Sequence, residues 1–320
     1  MTGPAVILLV AWIAAVLAPF ALAFIVWRLL RLNRASLALA LAAPVVMVWC
    51  LGVWAFLIEP TTLTVRHVTI ESAQWHGPPV RIGLISDTHV AAPHTDPQRI
   101  RRLVAAMNAE SPDMVVLLGD YVGSHEPAAE RSAAQRDEIL EGVMAFGGLR
   151  SPLGTYGVLG NHDSWFDEAL LARTMRQAGV RVLQNQASQI DRPGEPFWVG
   201  GVADLHSQRL VASVPRTLHA VPPEAPVILL THWPDPFEDV PGRVALTLAG
   251  HTHCGQVDLP LIGRPILPSP GSYRWPCGLY YEDGRPLFVT GGVGVSILPV
   301  RFRAPPEIVI VTLRAALSGD

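Results

Sequence analysis

The sequence contains no lysine, and all 24 of its basic residues are arginine. These arginines are outnumbered by 27 acidic residues, and they form neither a basic tail nor a strongly basic face. A protein that binds nucleic acid needs a cluster of positive charge to neutralise phosphates. The composition therefore carries no nucleic-acid-binding signal.

Cysteine is also scarce. The three cysteines are Cys50, Cys254 and Cys277, and they form neither a CxxC motif nor the spacing of a zinc knuckle. Cys254 and Cys277 can pair if their domain faces an oxidising compartment. The alternative, two unpaired thiols, is equally compatible with the sequence.

Charge is missing from two long stretches at the start of the chain, residues 4–27 and 35–58. Each is longer than the roughly 20 residues that cross a hydrocarbon core of about 30 Å. A cleaved signal peptide would begin with basic residues, but residues 1–11 contain none. We therefore predict two transmembrane helices within residues 1–60 and a separate domain at residues 61–320.

The turn between the two stretches predicts their orientation. Three arginines lie within residues 28–34, and short arginine-rich loops usually stay in the cytoplasm. Both ends of the helical hairpin would then lie on the opposite side. The prediction is a multi-pass cell-membrane protein whose large domain is extracytoplasmic.

The large domain repeats one pattern, in which an apolar β-favouring run ends abruptly in a residue able to bind a metal. Five predicted strands show it, at residues 80–86, 113–118, 154–159, 227–231 and 244–249. Further strands are predicted at residues 63–70, 180–183, 197–202, 287–290 and 308–313, and helices are predicted between the early strands and at residues 167–177. This order indicates an α/β fold with layered αββα architecture. Ligands in open α/β sheets gather beyond the carboxyl ends of strands.

The residues at these strand ends form one chemical set. It contains Asp87, His89, Asp120, Asn161, His162, His232, His251 and His253. Each alone is better explained as a helix cap or a loop histidine, but that does not explain why strand after strand ends this way. Mixed nitrogen and oxygen ligands suit Mn, Fe or Zn, and the number of ligands suits two metal ions that share a carboxylate. Two such ions stabilise the attacking and leaving oxygens of phosphoester hydrolysis.

The ordered motifs resemble those of calcineurin-like metallophosphoesterases. The motifs are Asp87-x-His89, Gly119-Asp120, Gly160-Asn161-His162-Asp163, His232 and Gly250-His251-x-His253. The resemblance covers residues 80–313 and implies a metallophosphoesterase sandwich. Residues 119–122, 250–256 and 291–308 look most similar to the bacterial membrane-anchored branch of that family. The hydrophobic start of the chain agrees with that branch.

The resemblance also implies a role for each residue. One metal would be held by Asp87, His89, Asp120 and His253. The other would be held by Asp120, Asn161, His232 and His251. His162 would protonate the leaving oxygen while Asp163 orients its imidazole. Four other histidines match no motif position and are expected on the surface or behind the site: His94, His125, His206 and His219.

These observations predict a membrane-anchored, dinuclear metal-dependent phosphoesterase that acts on phosphodiester or pyrophosphate bonds of lipid-linked or envelope substrates. One alternative is a non-catalytic membrane-tethered module that binds metal or phosphate. Another is a nucleotide-diacylsugar pyrophosphatase at the cytoplasmic face, which would reverse the predicted orientation. The loop at residues 256–284 is expected to wall the substrate pocket, where Arg264 and Arg274 either bind a phosphate or lie in solvent.

Overall fold

A computed structural model describes residues 3–192 and 195–316. The chain begins with two helices, α1 (Gly3–Arg31) and α2 (Ala35–Val53), and α2 continues into a π-helical turn at Trp54–Ile58 and a 3-10 turn at Glu59–Thr61. The indole N–H of Trp49 donates to the carbonyl of Ala15 at 3.2 Å and joins the two helices. Both are long and apolar enough to cross a membrane.

The described part of the large domain contains two six-stranded sheets. The first has the order β1 (Thr64–Ser72), β12 (Glu307–Ala315), β2 (Val80–Ile85), β3 (Met114–Leu117), β4 (Thr155–Gly157) and β5 (Arg181–Val182). The second has the order β10 (Gly278–Glu282), β11 (Arg285–Val289), β9 (Leu246–Ala249), β8 (Val227–Leu230), β7 (Phe197–Gly201) and β6 (Gln186–Ile190).

Helices cover the outer face of each sheet. They are α3 (Pro97–Ala109), α4 (Ala133–Met144), α5 (Asn161–Gln177), α6 (Val214–Thr217) and α7 (Pro270–Arg274). Alternate residues of β3 point to opposite sides, as the strand period requires: Val115 packs against α3 to α5, and Val116 packs against the second sheet. On the far side, Leu229 of β8 packs with residues of α6 and the segment around α7. The predicted αββα layering is confirmed.

The carboxyl ends of the strands meet at one edge of the sandwich. Strands β2, β3 and β4 are parallel, as are β8 and β9. The loops that leave them bond to one another: the Asp87 N–H donates to the Gly119 carbonyl at 2.9 Å, and the His251 N–H donates to Oδ1 of Asp87 at 3.1 Å. Loops from both sheets therefore converge on one point.

Helix α5 begins earlier than the sequence predicts. The pattern favours a helix at residues 167–177, but the structure starts it at Asn161 and bends it at Asp167, where φ is −173°. The Asp167 carboxylate caps the second part by accepting from the Leu170 N–H at 2.9 Å. The tetrad at residues 160–163 therefore forms a helix start that the sequence pattern did not predict.

Two strands were not predicted, β6 and β10, and both lie at edges of the second sheet. Edge strands bury few side chains, so their sequences lack a strong apolar pattern; only Ile190 is fully buried in β6. Strand β10 lies inside the segment expected to be a loop.

A disulfide joins Cys254 to Cys277, with their Cα atoms 4.9 Å apart, so the paired alternative is the one that the structure adopts.

Candidate metal centre

Three overlapping groups of buried side chains lie at the converging loops. Their ligand atoms fall within 4.8 Å of one another in each group, which are Asp87–His89–His253, His89–Asp120–His162 and Asp120–His232–His251. Asp120 belongs to two of the groups and lies between the other residues. The strand-end residues that the sequence singled out are thus brought together in one cluster.

Distances between potential ligand atoms match a metal shell. Atoms bound to one ion at about 2.0–2.2 Å stand roughly 3–3.5 Å apart. In the first group, His253 Nε2 lies 3.0 Å from His89 Nε2 and 3.4 Å from Asp87 Oδ1. Two imidazole nitrogens this close, each directed at the same point, are arranged as they would be around a cation.

The second half of the cluster has the same spacing. The Nε2 atom of His232 lies 3.3 Å from Asp120 Oδ2, 3.1 Å from Asn161 Oδ1 and 3.2 Å from His251 Nδ1. One carboxylate oxygen, one amide oxygen and two imidazole nitrogens therefore surround one position. The donor set fits a transition metal, and Asp120 is placed to bridge the two halves.

Backbone carbonyls hold two of the imidazoles in the orientation that metal binding needs. His89 Nδ1 donates to the Val122 carbonyl at 3.1 Å, and His232 Nδ1 donates to the Leu118 carbonyl at 2.7 Å. These bonds place the proton on Nδ1 and leave Nε2 free as a ligand atom. The carbonyls follow or end β3, so the sheet itself sets the ligand geometry.

The protonation of the cluster also suits metal binding. Burial lowers the pKa of His89 to about 3, and it lowers the pKa values of His251 and His253 well below the usual range. These imidazoles are neutral at neutral pH, which is the form that binds metals. For His232, burial lowers the pKa, but the charge of Asp120 outweighs this and raises it to about 10. A metal ion beside Asp120 would displace that proton.

Five of the seven predicted ligands have left-handed backbone conformations. Their φ values are 53° at Asp87, 47° at His89, 54° at Asp120, 68° at His251 and 49° at His253. Aspartate and histidine tolerate this region better than most residues, but each instance still costs about 1–3 kcal/mol. Such strain persists because the loops are held by many hydrogen bonds, and it turns the ligands inward at strand ends.

Close packing around residue 160 explains why the tetrad begins with glycine. A Cβ atom at this position would overlap Oδ1 of Asp120 and would also crowd Nε2 of His232. The absence of a side chain lets α5 start against the bridging carboxylate. The His162 N–H then donates to Asp120 Oδ1 at 2.9 Å.

The predicted contact between Asp163 and His162 is wrong. His162 Nδ1 instead donates to the Ser124 carbonyl at 3.0 Å. The Asp163 carboxylate accepts backbone N–H groups 2.8–3.2 Å away, from Gly160, Asp120, Tyr121 and Val122. As the third residue of α5, it points back along the helix start and fastens the Asp120 loop to the tetrad, so it positions a ligand and not the imidazole.

The His162 ring faces the metal cluster with its other nitrogen. Nε2 lies 3.9 Å from Asp120 Oδ2, and the residue is only 4% exposed. The ring also borders a cavity of about 380 Å³. His162 thus lies between the ligand cluster and the space where a substrate can bind.

Aromatic residues that the sequence did not single out surround the cluster. Trp233 stacks on His251 with ring centroids 3.5 Å apart, and Trp165 lies 5.1 Å from His162. His206 lies between these two tryptophans. Asp204 fixes Trp233 by accepting its indole N–H at 2.7 Å. Trp233 directly follows His232, which is the one signal that the sequence offered.

The four histidines that the sequence analysis placed outside the motifs divide into two kinds. His125 lies against the His162 ring at 4.7 Å, and His206 lies near the site as described above. His219 is exposed beside a different surface. The His94 carbonyl accepts a hydrogen bond from the Arg99 guanidinium at 2.7 Å, and His94 belongs to none of the three ligand groups.

The expectation for the loop at residues 256–284 is wrong for the cavity beside His162. That cavity is walled by residues 91–93, 124–126, 131, 135, 138 and 295–299. Arg264 instead pairs with Asp258 at 3.4 Å, and Arg274 pairs with Glu282 at 2.7 Å at the surface. Neither arginine lines that cavity.

Comparison with known proteins identifies the class to which this site belongs. Residues 80–255 match the family model described as calcineurin-like phosphoesterase, a range that contains every residue of the three ligand groups. The chain belongs to the calcineurin-like phosphoesterase family and is a hydrolase. The family resemblance inferred from the motifs is confirmed.

Three curated relatives place the chain within this family. A transmembrane protein with a metallophosphoesterase domain from Danio rerio is 29% identical over 74% of this chain and 54% of its own length, so this chain spans about half of that relative. Phosphodiesterase YaeI of Escherichia coli is 30% identical over 73% of this chain and 82% of its own length. UDP-2,3-diacylglucosamine pyrophosphatase LpxG of Chlamydia trachomatis is 27% identical over 87% of this chain and 96% of its own length.

Proposed function

We propose that the protein is a membrane-anchored, dinuclear metal-dependent phosphoesterase that hydrolyses phosphodiester or pyrophosphate bonds of lipid-linked or envelope substrates. The observation that carries this proposal is the shared position of Asp120, which joins two ligand groups on one side and borders His162 on the other. A single-metal site would not need a central carboxylate flanked by imidazoles on both sides.

The proposed ligands follow the two halves of the cluster. One ion is held by Asp87, His89, Asp120 and His253, and the other is held by Asp120, Asn161, His232 and His251. When bound, the two ions supply positive charge that stabilises a phosphoester as its charge develops. Mn, Fe and Zn all suit this mixture of nitrogen and oxygen atoms.

The protein's own residues supply orientation and a proton. The His162 ring is fixed by the Ser124 carbonyl through Nδ1, so Nε2 faces the cluster and the adjoining cavity. From there we assign it the delivery of a proton to the leaving oxygen. Asp163 keeps the Asp120 loop in place, and Trp233 limits water access beside His251 by stacking on it.

Two relatives support the proposed bond types. One is named a phosphodiesterase and the other a pyrophosphatase of a diacylated sugar nucleotide. The bonds in these names, a phosphodiester and a pyrophosphate, are a phosphoric ester and a phosphoric anhydride, and each links two substituents. The second name also supports a lipid-linked substrate, and so do the two apolar helices that precede the catalytic domain.

The disulfide supports the extracytoplasmic orientation independently of the arginine-rich turn. Disulfides persist in oxidising compartments and are rare in the cytoplasm, and Cys254–Cys277 lies beside the ligand His253. We expect a phosphatase reporter that is active only outside the cytoplasm to be active when fused after Asp320. Activity of a reporter that works only in the cytoplasm, at the same fusion site, would reverse the orientation.

A substrate panel tests the proposed activity. Purified full-length protein loaded with Mn²⁺ is expected to hydrolyse bis(p-nitrophenyl) phosphate and a lipid pyrophosphate faster than p-nitrophenyl phosphate. Preference for the monoester would refute the proposed bond type. Absence of turnover on all three substrates by metal-loaded protein would favour the non-catalytic binding module.

A further inference from the structure

We propose, on the basis of the proposed function, that an acyl chain of the substrate reaches the metal centre through a slot between the start of α1 and the loop at residues 91–93. The slot is inferred from two cavities that share residues 91–93, one beside His162 and one against α1. It would make the first transmembrane helix part of the substrate-binding site and not only an anchor.

The first cavity is lined by both charged and apolar residues. It measures about 380 Å³ and borders His162, and its charged lining residues include Arg131 and Glu138. Its lining also contains Ala92, Pro93 and residues 295–299, most of which are apolar. A substrate whose phosphate lies at the metal centre would therefore meet both charged and apolar groups in this cavity.

The second cavity lies against the same loop, residues 91–93, that lines the first one. It measures about 390 Å³ and is lined by Leu8, Leu9 and Trp12 of α1 and by residues 91–93. The three residues at 91–93 are shared by both cavities. Its described lining carries no charged side chain, so an acyl chain suits it and a sugar or nucleotide does not.

The position of this cavity along α1 places it at the membrane. Residues 8–12 lie near the first end of α1, which is distant from the arginine-rich turn. The last residues of α2 are also distant from that turn. Both ends belong to helices long enough to cross a membrane, and most of their side chains are exposed. The outer opening of the slot therefore faces the part of the bilayer that holds acyl chains.

Hydrogen bonds fix the hairpin against the catalytic domain, so the slot has a defined shape. The Arg301 N–H donates to the Ala55 carbonyl at 2.9 Å, and the Arg99 guanidinium donates to the Pro60 carbonyl at 2.8 Å. Glu59, only 3% exposed, accepts the Ala304 N–H at 2.7 Å. These contacts join the segment that follows α2 to residues 99 and 301–304 of the catalytic domain.

Exposed apolar side chains continue the slot along its rim. Ile297 is 71% exposed and Leu298 is 43% exposed, although both border the first cavity. They precede Arg301 by a few residues and are therefore held next to Ala55 at the end of the hairpin. Contact with lipid would remove their exposed apolar surface from water, which is favourable.

Two phosphodiesters that differ only in an alkyl chain test the slot. Methyl p-nitrophenyl phosphate and hexadecyl p-nitrophenyl phosphate have the same leaving group, so the ratio of their kcat/KM values measures the contribution of the chain. The full-length protein in mixed micelles is compared with Leu8→Trp, which fills the slot. Val10→Trp is the matched control, because Val10 is 57% exposed on the same helix and lines neither cavity.

We expect Leu8→Trp to lower the hexadecyl-to-methyl ratio by about tenfold, the change produced by losing contact with about two methylene groups. Its kcat/KM for the methyl ester should match wild type, which also shows that the variant is folded. Val10→Trp should keep the wild-type ratio. An unchanged ratio in Leu8→Trp, or equal loss on both esters, would refute the slot while leaving the phosphoesterase proposal intact. Failure of wild-type protein to hydrolyse either ester would refute both.

Discussion

Replacement of Asp120 by asparagine is expected to remove metal ions from both halves of the site. It should also lower kcat/KM for a phosphodiester at least about a thousandfold, because bound metals supply several kcal/mol of transition-state stabilisation. The Asp120 carboxylate lies 3.3 Å from His232 Nε2 and 3.8 Å from His89 Nε2, so it is the group nearest to both halves. Asparagine retains an oxygen that can accept the His162 N–H, so the loop should keep its shape.

Metal content and turnover measured on the same preparation check this expectation. Asp204→Asn is the matched control, because Asp204 is also buried and binds Trp233 but belongs to none of the three ligand groups. It should retain both metal ions. If Asp120→Asn retained both ions and wild-type turnover, Asp120 would not be the bridging ligand.

Replacement of His162 by asparagine is expected to lower kcat by about 10²–10⁴-fold, the usual contribution of general acid catalysis, while both metal ions are retained. The loss should be larger for a diester with an alkyl leaving group than for one with p-nitrophenolate, which leaves without help from a proton. This difference separates proton donation from a structural defect, because a distorted site would slow both esters equally.

His162 also belongs to one of the groups able to hold a metal, so metal analysis of the variant is the decisive control. His125→Asn provides the matched comparison, since its ring lies 4.7 Å from His162 and is absent from the ligand groups. It should retain both metals and most of the turnover. Loss of one metal in His162→Asn would make His162 a ligand.

The strand-end ligands were predictable because the chemistry of the site is repeated along the chain. Asp87, Asp120 and His232 each follow a short apolar run, and parallel strands bring such ends together. The sandwich layers followed from the same runs, since alternate residues of β3 face different layers. These features depend on local pattern, which a sequence displays directly.

Other features depend on three-dimensional context that the sequence does not display. Asp163 looks like the partner of its neighbour His162, but at the start of α5 its carboxylate turns back toward the Asp120 loop. Trp165 and Trp233 flank the centre only because the first turns of α5 and the loop after β8 meet there. The left-handed backbone at Asp87 and four other ligands arises from tertiary constraint, since no local preference imposes it.

The central claim is that two metal ions bind each chain and are required for phosphodiester hydrolysis. Elemental analysis of the purified full-length protein, followed by chelation and stepwise return of metal while hydrolysis of bis(p-nitrophenyl) phosphate is recorded, tests it most directly. We predict two ions per chain, activity lost on chelation, and recovery that is complete only when the second ion is bound. Full activity with one ion or none would contradict the account.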